Sequence, residues 1–472
     1  MAIASPFAKL PFKTKGYITL AGGFLIHFIL GTFYLWGNMG SYIASYLQNN
    51  GQDYTNNDVG AVFPFMMLAI NIGLLFGVTI AKKIGFRLLC LICSFFIGVG
   101  IFTSSFALKN FALFTFLYGF VFGIFNGLAY MLPFNLCYTY FPEKKGIVSG
   151  IIAGAFGLGA AVWIWLVNGL INPDNIDPQH TDKNDNNSPK YYPPEVTNNL
   201  ARSIRIFAIV YFSIATIGSL LIEQPTKEEV EQIEEEQNAQ YEKLIEGYEQ
   251  HKEVECENLK DGLKTRLIYI TFGLAAMYAS FGAMLVANYK NYGLYLNFST
   301  SFLSVVSTVG SISNGLSRFF WGAVYQKMPF KWIAILNLSL QSVISFTLRW
   351  ASEVEAVYLI YITLMYFLYG GWYAVLPATI TKIYGKKIGN IIYGVTFSGF
   401  TIAGFFQFFV VTKVQSAIGW GNMFWVFTGV QLLAIICTFF VKFEINWKER
   451  YSALKQKEEQ FEYSSKSLET NN

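Results

Sequence analysis

Charge is scarce in this chain. Asp, Glu, Lys and Arg make up 14% of its 472 residues, and only three residues are histidine. A water-soluble domain carries about 25% charged residues, so the deficit excludes an ordinary soluble fold. The formal net charge of +4 is too small and too scattered for a nucleic-acid-binding surface. Five cysteines give no disulfide framework. Cys90 and Cys93 form a Cys-x2-Cys inside an apolar run without two further ligands nearby, which argues for helix packing rather than zinc. There is no phosphate-cradling glycine loop, no His-Glu-x2-His and no nucleophile elbow. Neither an enzyme nor a resident cofactor or metal is expected, and any transport would run on solute or proton gradients rather than on ATP.

Apolar residues are abundant, at 53% hydrophobic and 18% aromatic. Runs of about 20 such residues, enough to cross a hydrocarbon core of roughly 30 Å, recur along the whole chain. They predict an all-α, polytopic membrane protein with twelve spans, at 16–41, 58–81, 88–106, 111–138, 146–171 and 204–222, then 267–288, 298–324, 332–348, 356–380, 389–411 and 423–441. The expected organisation is a six-helix half over 1–222, an acidic helical linker over 223–265 read as a charged tether, a second six-helix half over 266–442, and a disordered tail over 443–472. The stretch 172–203, rich in Asn, Asp and Pro, is expected to be an irregular loop.

Basic residues in short loops set the expected orientation. Lys9, Lys13, Lys15, Lys82, Lys83, Arg87, Lys144, Lys145, Lys327, Lys331, Lys382, Lys386 and Lys387 fall on one side, and only Lys109, Lys290, Arg349 and Lys413 on the other. Both termini are therefore expected in the cytoplasm, with the glycosylation sequons at Asn186 and Asn297 in external loops. The residues do not distinguish a plasma membrane from an organelle membrane.

The halves repeat. Leu132-Pro133 matches Leu376-Pro377, Gly77 matches Gly322, and Lys144-Lys145 matches Lys386-Lys387, all at a common offset of about 244 residues. Duplication of this kind builds a central site that each side of a membrane reaches in turn.

Several motifs resemble the oxalate:formate antiporter family of the major facilitator superfamily, which is similar to the monocarboxylate carriers. Gly127-Leu-Ala-Tyr-Met-Leu-Pro133, Tyr140-Phe-Pro-Glu-Lys-Lys-Gly146 and Ser149-Gly150-x3-Gly154-x2-Gly157-x-Gly159 resemble its fourth-to-fifth helix signature. Gly31-Thr-Phe-Tyr-Leu-Trp-Gly37 is similar to its first helix, Asn314-Gly315-x2-Arg318-x2-Trp321-Gly322 to its eighth, and Gly370-Gly371 through Pro377 to Tyr384-Gly385 to its tenth. The resemblance implies the major facilitator fold and a carrier of small organic anions in which the eighth-helix arginine binds the substrate carboxylate. It also has departures. The lysine of the oxalate exchangers' eleventh helix is absent near Phe400, the helix-one lysine of the animal monocarboxylate carriers is replaced by Asn38, and the superfamily's loop Asp is replaced by Ala81.

Arg318 is the one Asp, Glu, Lys or Arg well inside an expected span. A charge there is costly and faces a protein interior or a water-filled path. Ser307, Ser311, Asn314 and Arg318 form a polar stripe at helical spacing, and a guanidinium matches a carboxylate through two parallel hydrogen bonds. The alternative is an arginine neutralised by structural partners. One cation compensates one carboxylate, which favours a lactate-, pyruvate- or formate-like monocarboxylate over a dianion. His27, with Gly31 and Tyr34 on the same face, is either a proton-exchanging group or a neutral histidine between helices. Tyr130 and Tyr373 are candidate hydroxyl donors to the same anion. Gly146, Gly150 and Gly154 are expected to admit a neighbouring helix backbone. The expected function is alternating-access transport of a small organic anion, possible with or without a proton, in contact with the lipid bilayer. A carrier for another organic solute and a non-transporting sensor or subunit working through the linker stay open, as does an accessory partner.

Overall fold

A computed structural model describes residues 7, 9–181, 190–232, 255–351, 353–385, 388–453 and 456. Asn186, Lys386, Lys387, the centre of the linker and the end of the tail lie outside them.

The described chain is all-α apart from one two-stranded ribbon. Among the described residues ten helices are long and apolar enough to cross a membrane, against the twelve spans expected, and two of the expected boundaries fall differently. The helix Thr300–Tyr325 has full length at 26 residues, but its serines, Asn314 and Arg318 make it too polar to count among the ten. The last run, Ile391–Phe440, is counted as one helix although Gly419, at φ 76, breaks it between the two expected spans.

The helices that position the site are α1 (Phe12–Leu30), continued through the tighter turn Gly31–Leu35 into α2 (Trp36–Asn49), then α3 (Val62–Ile84) and α4 (Phe86–Ser104). They are followed by α5 (Phe122–Tyr130), α6 (Leu132–Tyr140), α7 (Lys145–Ile171) and α8 (Leu200–Leu220). Beyond the linker come α9 (Arg266–Tyr295), α10 (Thr300–Tyr325), α11 (Phe330–Ala351), α12 (Glu355–Tyr384), α13 (Gly389–Phe409) and α14 (Gln415–Phe440). Gly85 and Gly385 end α3 and α12 at φ 100 and 84, a conformation that costs other residues a steric penalty.

The packing is inside-out relative to a soluble protein. Phe76, Trp165, Leu316, Val343, Ile360 and Ile436 are each more than half exposed, whereas Asn126, Ser311, Asn314, Gln341 and Gln431 are fully buried. An apolar exterior over a polar interior is what a lipid solvent selects. Across the middle, α7 packs on α10, α3 on α13, and α2 on α9.

Several expectations change. The Gly-rich face of α7 does admit a backbone, but at Gly157, where an added Cβ would lie 2.6 Å from Gly315 Cα. At Gly150 the occupant is the Phe319 ring, and Gly146 has only Gln326 near it. The loop expected to be irregular carries β1 (Gln179–His180) paired antiparallel with β2 (Lys190–Tyr191), because Tyr191 and Tyr192 have apolar faces to bury. The start of the linker is docked and not a solvated tether. Glu223 is 3% exposed and ion-paired with Arg87, which also donates Nε to the Ile222 carbonyl at 2.9 Å, and Glu229 pairs with Lys15 at 2.7 Å. The tail is helical over 447–453, where Trp447, 3% exposed, donates to the Ile383 carbonyl at 2.7 Å. Lys290, expected in a loop, lies within α9 and is 1% exposed, since the helix runs on through Tyr289 and Tyr292 to Tyr295.

Candidate functional site

A cavity of about 800 Å³ enters the bundle from the end at which the described residues begin and end, where Phe12 packs on Tyr140 and Trp447 bonds to Ile383. Its mouth lies between α7 and α10, at Lys144, Gly146 and Gln326, with Thr381 of α12 opposite. Its inner end is formed by Arg318, Tyr130 and Tyr373. Beyond them a smaller recess of about 30 Å³ is walled mainly by Phe33, Tyr34, Met67, Ile70, Phe156 and Phe397.

Arg318 is 4% exposed and stands between two rings, Phe156 and Tyr373, each centred 5.1 Å from Cζ. Ring faces stabilise a guanidinium partly stripped of water. Its Nη1 donates to Tyr130 Oη and its Nη2 to Asn314 Oδ1, both at 3.4 Å, and Tyr34 interacts with the same cation. Both hydrogen bonds are long for a charged donor. Nε has no hydrogen-bond partner, and no carboxylate comes within 4.0 Å of Arg318 among the described residues.

Local sequence explains the placement. Pro133 cannot donate a backbone N–H, and the helix is interrupted at Met131 (φ −87, ψ −5), which leaves Tyr130 as the last residue of α5 at the cavity end. Its counterpart Pro377 stays inside the continuous α12, four residues beyond Tyr373. Asn314 is held from behind, its Nδ2 donating to the Tyr366 carbonyl at 3.0 Å, so its oxygen is turned to Arg318.

Five of the six residues expected to form the site, Arg318, Asn314, Tyr34, Tyr130 and Tyr373, therefore converge. The sixth, His27, is fully buried behind them. Its Nδ1 is 3.0 Å from the Gly23 carbonyl, its ring packs 5.1 Å from both Tyr130 and Phe134, and its Nε2 has no partner among the described residues. It does not line the cavity. Asn297 is exposed, with φ 65, and its side-chain oxygen accepts from Lys190.

Two residues were missed. Phe156 carries no signal among 45 phenylalanines. Lys290 is flanked by Tyr289 and Tyr292, and this alternation of charge and ring was the available hint that the span continues past Asn288.

The opposite end of the bundle is closed by polar contacts that include bonds between segments before the linker and helix α10 after it. Asn168 donates to Ser304 Oγ and accepts from Asn38 Nδ2 at 3.1 Å and Tyr42 Oη at 3.0 Å. Tyr192 Oη and Thr300 Oγ1 are 2.9 Å apart. Among the described residues no group of three or more His, Cys, Asp or Glu is placed to hold a metal.

No protein-family model matches the chain. Among curated relatives it is similar to apicoplast pyruvate carrier 1 of Toxoplasma gondii, 24% identical over 86% of this chain and 85% of the relative. It is also similar to the oxalate:formate antiporter of Oxalobacter formigenes, 22% identical over 67% and 66% of the two chains, and to the uncharacterized MFS-type transporter YhjX of Escherichia coli (strain K12), 21% identical over 83% and 86%. Among solved structures, the nucleoside transporter NupG superposes with a TM-score of 0.62 over 91% of this chain and 99% of its own, at 10% identity. Together the fold and these similarities indicate a transporter of the major facilitator superfamily.

Proposed function

We propose that the chain is a secondary transporter of a small monocarboxylate of the pyruvate, lactate or formate class, working by alternating access between two six-helix halves. The observation that carries this reading is Arg318: a guanidinium buried at the blind end of an open cavity, with long bonds to Tyr130 and Asn314 and no acid beside it among the described residues. A carboxylate supplies the missing countercharge through two parallel hydrogen bonds. The recess beyond it is small and mostly apolar, suited to a methyl-sized tail and hostile to a second carboxylate. A pyruvate carrier among the relatives supports the same class.

Twelve spans in two repeats belong to the same proposal. The packing of α3 on α5 in the first half has its counterpart in α10 on α12 in the second. With the termini in the cytoplasm, the cavity faces inward and the polar contacts around Asn168 close the outside.

His27 is the proton-exchanging candidate in this scheme, and it acts only when Tyr130 moves aside. His27→Gln is then expected to lose stimulation of uptake by an imposed pH gradient while keeping its KM. Undiminished stimulation removes His27 from the scheme.

The decisive experiment is uptake of labelled pyruvate, lactate, formate and oxalate by proteoliposomes at two pH values. The monocarboxylates are expected to move and oxalate to lag. If no monocarboxylate enters at either pH, the proposal is wrong, and an uptake panel of other organic solutes becomes the next step.

A further inference from the structure

Lys290 is a second buried cation, at the closed end and outside the cavity. Its Nζ donates to Asn38 Oδ1 at 2.5 Å and lies 4.0 Å from the Tyr42 ring centroid and 5.2 Å from that of Tyr192. Among the described residues no carboxylate comes within 4.0 Å of it. Asp177, the acid whose field reaches it, accepts the Thr300 N–H at 2.7 Å. The partners it does have are the two Asn38 oxygens, the side-chain one close and the backbone one at 3.5 Å, and two ring faces, which replace the lost hydration of an ammonium only in part.

Those partners share one property. Asn38 and Tyr42 on α2 and Tyr192 after β2 all precede the linker, while Lys290 follows it on α9. Each contact therefore crosses between the two groups of helices, and an opening of this end removes all three at once. Asn38 also stands one helical turn, about 6 Å, beyond Tyr34, and Tyr34 faces Arg318.

We propose that Lys290 is a second carboxylate-binding residue, serving the state in which the end opposite the termini is open. At that mouth its ammonium takes the anion and passes it one turn deeper to Arg318. On closure the Asn38 oxygen takes the place of the carboxylate, so the lysine never stands without an oxygen partner. This rests on the monocarboxylate reading above.

The test uses the full chain in proteoliposomes of a single orientation, with initial rates of labelled pyruvate measured from each face. Lys290→Gln is expected to raise KM about tenfold at the face opposite the termini and to leave KM at the other face within about twofold, and Lys290→Arg is expected to restore most of the loss. An unchanged KM, an equal rise at both faces, or no rescue by arginine overturns the proposal. A wild-type chain that carries no monocarboxylate overturns both this inference and the reading beneath it, whereas a transporting wild type with an indifferent Lys290 overturns this inference alone. If Lys290→Gln does not fold, Asn38→Ala is the second measurement. It keeps the ammonium and removes its competitor, so KM at the face opposite the termini is expected to fall about threefold, and a rise or no change overturns the proposal.

Discussion

In the proposed scheme Arg318 and Tyr130 meet the anion through different atoms, and substitutions separate them. Arg318→Ala removes the charge-assisted pair and is expected to weaken apparent affinity for a monocarboxylate about 10- to 100-fold in vesicle uptake. Arg318→Lys keeps the charge, loses the planar fork, and should fall between. Tyr130→Phe deletes only a hydroxyl at 3.4 Å, so a rise in KM of about threefold or less is expected. Arg318 was legible in the sequence because an isolated charge in a long apolar run is costly wherever it sits. Phe156, which touches the same guanidinium, was not, because its role comes from its position opposite α10 and not from any pattern along α7. Lys290 was misplaced for a physical reason. Where Tyr289, Lys290 and Asn291 follow one another, hydropathy falls as it does at a loop, although Tyr289 and Lys290 are buried inside the fold.

At the scale of elements, the contact between α7 and α10 is set by backbone proximity at Gly157 and Gly315. Gly157→Val must push against the Gly315 backbone and the Ser311 carbonyl, so transport is expected to drop more than about tenfold. Gly146→Val, where an added Cβ meets only the Gln326 side chain at 3.8 Å, should transport like wild type. The docked start of the linker gives a second prediction. Glu223→Gln removes the carboxylate from the buried pair with Arg87, a loss of about 3 kcal/mol that thermal unfolding in detergent would register as a drop of several degrees. The neighbouring Lys15–Glu229 pair is partly exposed and worth less than about 1 kcal/mol. Partial burial raises the Glu229 carboxyl, but Lys15 and Thr226 more than offset this and hold it below its ordinary 4.5. The pair's contribution is therefore complete above about pH 4.5 and is lost as pH falls through the lowered folded value. Wild type and Glu229→Gln should melt apart at pH 7 and converge in strong acid. Sequence gave no warning of either pair. Ala81 stands where the superfamily carries its loop Asp, and Arg87 is held by an acid 136 residues away.

For the whole molecule, the cavity opens toward the termini and the opposite end is closed by the contacts of Asn168 and Tyr192. A membrane-impermeant maleimide should therefore label Gln326→Cys readily from the face of the termini. Ser304→Cys should resist the reagent from either face until the closed end opens, and equal labelling of the two sites would exclude this closed arrangement. The all-α, polytopic membrane architecture was readable from hydropathy. The ribbon after α7 and the short tail helix were not, because a few aromatic residues, Tyr191, Tyr192 and Trp447, anchor segments whose composition is otherwise polar.

The polarity that drops α10 from the ten membrane-crossing helices also bears on how the protein is made. A segment holding Arg318 near its middle partitions poorly from the translocation channel into lipid by itself, at a cost of roughly 2.5–3.5 kcal/mol for the arginine. The segment must then wait for α7 and α12, which pack on both its sides, and enter the bilayer with them. Replacing Arg318 with leucine should consequently raise the fraction of inserted protein while it abolishes uptake, so that yield and activity move in opposite directions for one substitution.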